Sequence, residues 1–130
     1  MCFPRIVVRK SAFELSMFTE SGRMAFPVAI GSNPDGADKQ AVGDCRTPEG
    51  AFEVESIEDS SDWERDGRPA YGPWFIRLRC PPWEGIGIHG TDEPDTVGTR
   101  ATLGCVRMRN DDLLQLAPLV TVGTRIEIVP

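Results

Sequence analysis

A mostly-β domain with one short helix near its C-terminus is the fold class this 130-residue chain predicts. Three observations carry that expectation. Apolar and polar residues alternate in short runs, as where Phe13, Leu15 and Met17 are set against Glu14 and Ser16, which is the period of a half-buried strand. Turn residues interrupt those runs too closely for repeated strand–helix–strand units. Only the stretch from Asn110 onward carries apolar residues at helical spacing.

Taken in order, "RIVV" reads as a first strand, and "AFELSMF", "TESGR" and "MAFPVAI" as a hairpin. "SNPDGADKQAVGDCRTPEG" is rich in turn residues, with proline and glycine in "TPEG" where a turn favours them. "AFEVESI", "PWFIRLR" and "GIGIHG" supply further strands. Between the first two of these lies the long polar segment "EDSSDWERDGRPAYG", with Trp63 and Tyr71. Loops of that length in a compact domain usually serve function. Asn110 is a suitable N-cap, and Asp111 and Asp112 place negative charge at the positive end of a helix. Leu113, Leu116, Ala117 and Val120 would form its packed face, and Pro118 would end it after about two turns. "TRIEIV" closes the chain as a last strand. No repeat or linker divides residues 1–130, so one domain is expected, large enough to bury a core without staples.

Composition removes several function classes. At 40% hydrophobic and 26% charged residues the chain is ordinary for a globular protein. A formal net charge of −6 argues against a nucleic-acid partner, which clustered Lys and Arg would serve. No apolar run approaches a membrane span, so an integral membrane protein is not expected. The start, "MCFPRIVVRK", lacks the charged-then-apolar order of a secretory signal. Four cysteines at 2, 45, 80 and 105 form no Cys-x-x-Cys pair, and one histidine leaves no zinc spacing. No metal is therefore expected, and any Cys45–Cys80 pairing stays open. Cys2, Cys45 and Cys80 read as inert packing.

The stretch "GIGIHGTDEPDTVGTRATLGCVRM" is different, because it holds the only histidine together with a cysteine in Gly-Cys-Val-Arg. A cysteine is a nucleophile as thiolate and needs a base or a lowered pKa. His89 is the one side chain whose ordinary pKa lies near neutrality. If "GIGIHG" and "TLGCVRM" end side by side, His89 could take the proton of Cys105. Gly104 would let the backbone turn so that the amides of Gly104 and Cys105 face a developing oxyanion. Arg107, two residues beyond Cys105, would share its face of a strand. Taken singly, a buried cysteine is more often packing and a lone histidine more often structural.

The combination resembles the L,D-transpeptidase catalytic domain, the YkuD-like family, whose pattern is His-Gly or His-Ser, a variable stretch, then Ser/Thr-x-Gly-Cys-Val/Ile-Arg. Thr102, Gly104, Cys105, Val106 and Arg107 fit it. "VGDCRTPEGAFEV" is similar to the family's Gly…Thr-Pro-x-Gly-x-Phe segment, the opening strands look like its hairpin and third strand, and "NDDLLQLAPLVTVGTRIEIV" looks like its closing helix and strand. The resemblance implies a β-sandwich of mixed sheets with one short capping helix near the C-terminus. It implies acyl transfer on peptidoglycan stem peptides: Cys105 attacks, a terminal D-residue leaves, and a thioester passes to an acceptor amine, or to water. His89 would be the base, oriented by the carbonyl of Gly90. Arg107 would support the site, and Tyr71 is a candidate for the cleft wall, whereas Trp74 fits core packing better. No cofactor is called for. The resemblance also implies a cell-envelope location outside the cytoplasmic membrane, which the opening residues fit only if the chain is trimmed or otherwise exported. A monomer is expected.

One position departs from the family pattern. Many members carry His or Lys where this chain has Leu103, which removes a polar side-chain contact to substrate but leaves the backbone amide. Residues 91–101 between the two motifs read equally as a lid or a plain connection. Sortases share Cys, His and Arg on a β-rich fold, but with the histidine much farther upstream. NlpC-type peptidases place cysteine before histidine. A non-catalytic wall-binding domain is the remaining alternative, and the intact His89, Cys105 and Arg107 argue against it.

Overall fold

The computed structural model describes residues 3–130. Short strands follow one another as the alternation requires: β1 (Arg5–Arg9), β2 (Glu14–Thr19), β3 (Gly22–Gly31), β4 (Gly50–Asp59), β5 (Trp74–Arg79), β6 (Gly87–His89), β7 (Arg100–Thr102), β8 (Val106–Met108), then helix α1 (Asn110–Leu116) and β9 (Arg125–Val129). The spatial order is β2-β1-β9-β4-β5-β6-β8-β3-β7, and β2 also pairs with β3. That last pairing closes a ring of eight strands, with β7 attached to the far end of β3. The architecture is thus a closed mixed β-barrel rather than the expected β-sandwich.

The length of β3 explains the closure. Its first half pairs antiparallel with β2, from Thr19↔Gly22 to Glu14↔Pro27. Its second half pairs with β8 through Val28↔Met108 and with β7 through Gly31↔Thr102. Pro27 has no N–H to continue a ladder, and it stands where β3 passes from one partner to the next. β1–β9 and β6–β8 run parallel, so the barrel is mixed.

Inside lie Ile6, Val8, Leu15, Met17, Val28, Ile76, Ile88, Val106, Met108, Ile126 and Ile128, all but excluded from water. Leu113 and Leu116 of α1 join this core together with Val120, and Ala117 is also buried, so the predicted helix face is the packed one. Trp74 packs at the core margin. The start of α1 differs from expectation. Arg109 occupies the N-cap with no side-chain cap bond, and Asn110 is the first helical residue. Its carboxamide is turned toward another element. Cys45, Cys80 and Cys105 are free thiols, Cys80 buried in the core. Cys2 lies outside the described residues. None of the described helices is long and apolar enough to cross a membrane.

Candidate active site

β6 and β8 are parallel neighbours in register Ile88↔Val106 and His89↔Arg107. Side chains alternate across each strand. Ile88, Val106 and Met108 therefore fill the core, while Cys105, Arg107 and His89 face the other way, into a cleft of about 1030 Å³. Cys105 falls one residue before the paired part of β8, level with Gly87. His89 is its diagonal neighbour across strands about 4.8 Å apart, a separation that side chains span. Thr102, Leu103 and Tyr71 also line this cleft. Gly90 and Gly104 are buried behind it.

The imidazole is fixed on several sides. Nδ1 lies 2.6 Å from the Gly90 carbonyl oxygen. A carbonyl only accepts, so Nδ1 carries the proton and Nε2 is left with its lone pair. One face stacks on Phe75, with centroids 5.7 Å apart and planes 7° from parallel, and Tyr71 meets the ring edge-on at 5.2 Å. Trp63 completes the aromatic group against Tyr71 and Phe75. Burial drives the His89 pKa down to about 4, the Gly90 bond opposing this and the Arg107 charge adding to it. The ring is a neutral base at neutral pH.

Cys105 Sγ lies 3.4 Å from the Gly85 carbonyl oxygen, to which its S–H donates. Burial pushes the thiol pKa up, against the opposing pull of the Gly87 N–H and the charges of Arg77, Arg107 and Arg65. The resting pair is therefore a neutral thiol and a neutral imidazole. Gly87 is small for a reason: a Cβ there would lie 2.7 Å from the Ile76 carbonyl oxygen and collide with the Phe75 ring. The glycine lets β6 press against the aromatic that backs His89.

The turn before Cys105 is tied by Thr102. Its hydroxyl donates to the Cys105 carbonyl at 2.6 Å and accepts from the Gly104 N–H at 3.1 Å. The Gly104 amide is thus engaged, which corrects the expectation that it faces an oxyanion. Among the described residues the Cys105 N–H has no acceptor, so it is the free donor on this turn. Arg107 Nη1 donates to Thr96 Oγ1 at 2.9 Å, and its Nε is buried without a partner. Residues 91–101 hold a 3₁₀ turn at Pro94–Thr96 and the start of β7. Across the cleft, Arg68 reaches Asp92 at 2.9 Å and Glu93 at 3.5 Å. Leu103, 56% exposed, stands on the rim.

Comparison with known proteins agrees with this architecture. The profile of the YkuD family, L,D-transpeptidase catalytic domain, matches residues 4–128. The chain belongs to that family. Members of the L,D-transpeptidase family act on peptidoglycan and are generally cell-envelope enzymes. YkuD of Bacillus licheniformis is 35% identical over 85 residues, covering 65% of this chain and 46% of that protein. YqjB of Bacillus subtilis is 29% identical over 134 residues, covering 96% of this chain and 70% of that protein. Among solved structures, Bdellovibrio bacteriovorus Bd1075 superposes with a TM-score of 0.71 at 26% identity, covering 97% of this chain and 47% of that one. L,D-transpeptidase 3 from Mycobacterium tuberculosis, in complex with a faropenem-derived adduct, superposes with a TM-score of 0.73 at 15% identity, covering 98% and 61%. The chain thus spans about half the length of YkuD and of Bd1075.

Phe75, Trp63 and Asn110 were not singled out from sequence as site residues. Phe75 sits in an ordinary strand run, and only the register Phe75↔His89 brings it under the imidazole. Trp63 had one available signal, its place in an unusually long polar loop.

Proposed function

We propose that this chain is one catalytic domain, a cysteine L,D-transpeptidase acting on peptidoglycan stem peptides, with Cys105 as nucleophile and His89 as base. One observation carries the reading: His89 Nδ1 is committed to the Gly90 carbonyl, and the ring shares one cleft with Cys105 from the neighbouring strand. That leaves Nε2 as the only ring nitrogen able to receive the thiol proton.

Nε2 takes the proton as Sγ attacks the carbonyl carbon of the L,D amide, and the C=O electron pair moves onto oxygen. The Cys105 N–H, without an acceptor among the described residues, would donate to that oxyanion. Collapse of the tetrahedral intermediate breaks the C–N bond. His89 returns the proton to the departing amine of the terminal D-residue, leaving an acyl thioester on Cys105. An acceptor amine then attacks, giving its proton to His89. The C–S bond breaks, the proton returns to sulfur, and a new amide leaves. Water in place of the amine gives a carboxypeptidase outcome. Arg107, which lines the cleft and donates to Thr96 Oγ1, would support the site. Leu103, on the rim, offers substrate an apolar contact in place of a polar one.

Incubation with a carbapenem or a tetrapeptide stem, followed by mass spectrometry, tests this. The expected result is a covalent adduct on Cys105, absent from Cys105→Ala and slowed in His89→Ala. A folded, reduced sample that forms no adduct would move the reading to a wall-binding domain that has kept the fold. A His89→Ala variant that acylates at the parent rate removes His89 as the base.

A further inference from the structure

We infer that Asn110 is a positioning residue for the base, and that through the Gly90–Thr91 peptide unit its side-chain oxygen sets which nitrogen of His89 carries the proton. The inference rests on the reading of His89 as base.

That peptide unit is held at both ends. Its N–H, on Thr91, donates to Asn110 Oδ1 at 2.8 Å. Its carbonyl oxygen, on Gly90, accepts from His89 Nδ1 at 2.6 Å. The unit is trans, and in a planar trans peptide the N–H and C=O point in opposite directions. An acceptor fixed on the N–H side therefore aims the oxygen toward the imidazole. Bonds in series also polarise one another, so the Asn110 contact makes the Gly90 oxygen a better acceptor. The preceding peptide is anchored as well, since the Gly90 N–H donates to the Tyr71 carbonyl at 2.8 Å. Space is equally restrictive. A Cβ on Gly90 would collide with Asn110 Oδ1 and lie 3.0 Å from Gly72 Cα.

The place of Asn110 in its own helix supports this. An asparagine at a helix start ordinarily caps that helix, yet α1 has no side-chain cap bond. The carboxamide serves the end of β6 instead. Only its oxygen can receive an N–H, so the orientation of the group follows from its partner. Asn110 thereby orients the imidazole as the third member of a triad would, with a peptide unit interposed.

A single histidine gives an uncrowded imidazole nitrogen NMR spectrum, which reads the tautomer directly. The parent is expected to hold the proton on Nδ1 at neutral pH. Asn110→Ala is expected to mix the tautomers and to slow carbapenem acylation of Cys105 about tenfold, the rate equivalent of one hydrogen bond. Asn110→Lys, which offers Thr91 only donors, is expected to do the same and serves if the alanine variant does not fold. Asn110→Asp keeps an oxygen acceptor and is expected to restore both tautomer and rate. An unchanged tautomer in the loss-of-acceptor variants, or an aspartate variant as impaired as alanine, overturns the inference. If His89→Ala instead acylates at the parent rate, the proposed function of His89 fails, while the tautomer shift still reports on Asn110.

Discussion

His89 is buried and Cys105 lies half-buried in the cleft, and both groups lose part of their hydration. Desolvation disfavours whichever form is charged, so it lowers the imidazole pKa to about 4 and raises that of the thiol. No thiolate–imidazolium pair stands ready, so in the proposed reaction proton transfer would accompany attack on the carbonyl. A pH profile follows. The acylation rate should rise with a single acid limb of midpoint near 4, where His89 loses its proton, and stay level through neutrality. Stopped-time mass spectrometry across pH measures it, and a midpoint near 6.5 would mean that the ring is solvated. His89 stood out in the sequence as the only histidine, and Cys105 and Arg107 only through the Gly-Cys-Val-Arg motif they share. Phe75 and Asn110 did not, because aromatic and amide side chains acquire these roles only from the neighbour that the register supplies. Gly104 illustrates the same limit: its presence was legible, but Thr102 decided what its amide bonds to.

At the scale of elements, alternation in the sequence located most strands, and the helical spacing of Leu113, Leu116, Ala117 and Val120 chose the buried face correctly. The helix starts one residue earlier than expected, with Asn110 as its first residue and its side-chain oxygen bonded to Thr91. β7 and β8 are three residues each, too short for a period to register. α1 contributes to stability through its core face. Leu113→Ala removes a side chain with no exposed surface and should cost about 2–5 kcal/mol, measured as a lowered urea midpoint. A loss below 1 kcal/mol would show that α1 does not pack on the barrel as described.

For the whole molecule, burial of a neutral histidine predicts acid sensitivity. The folded pKa of His89, about 4, lies below its ordinary 6.5. Between those values the unfolded chain binds the extra proton, so stability falls as pH falls. The contribution is present in full above pH 6.5 and is lost as pH drops through about 4, amounting to roughly 3 kcal/mol. The Asp35 carboxyl, held at about 2 beside Arg46, titrates below that window. Urea unfolding of the parent should weaken across it, and His89→Gln should not; parallel pH curves for the two would sink the prediction.

The sequence by itself determined a β-rich chain, the helix face, and the presence of His89 and Cys105 in one short stretch, because residue type and period are local properties. Only the tertiary structure decided that β3 pairs with β2 at one end and with β8 and β7 at the other, closing a barrel where a sandwich was expected. The physical reason is that alternation states which face of a strand is buried, not which strand lies beside it. Register, a long-range property, is what placed Gly87 beside the thiol, Phe75 beneath the imidazole and Asn110 behind it.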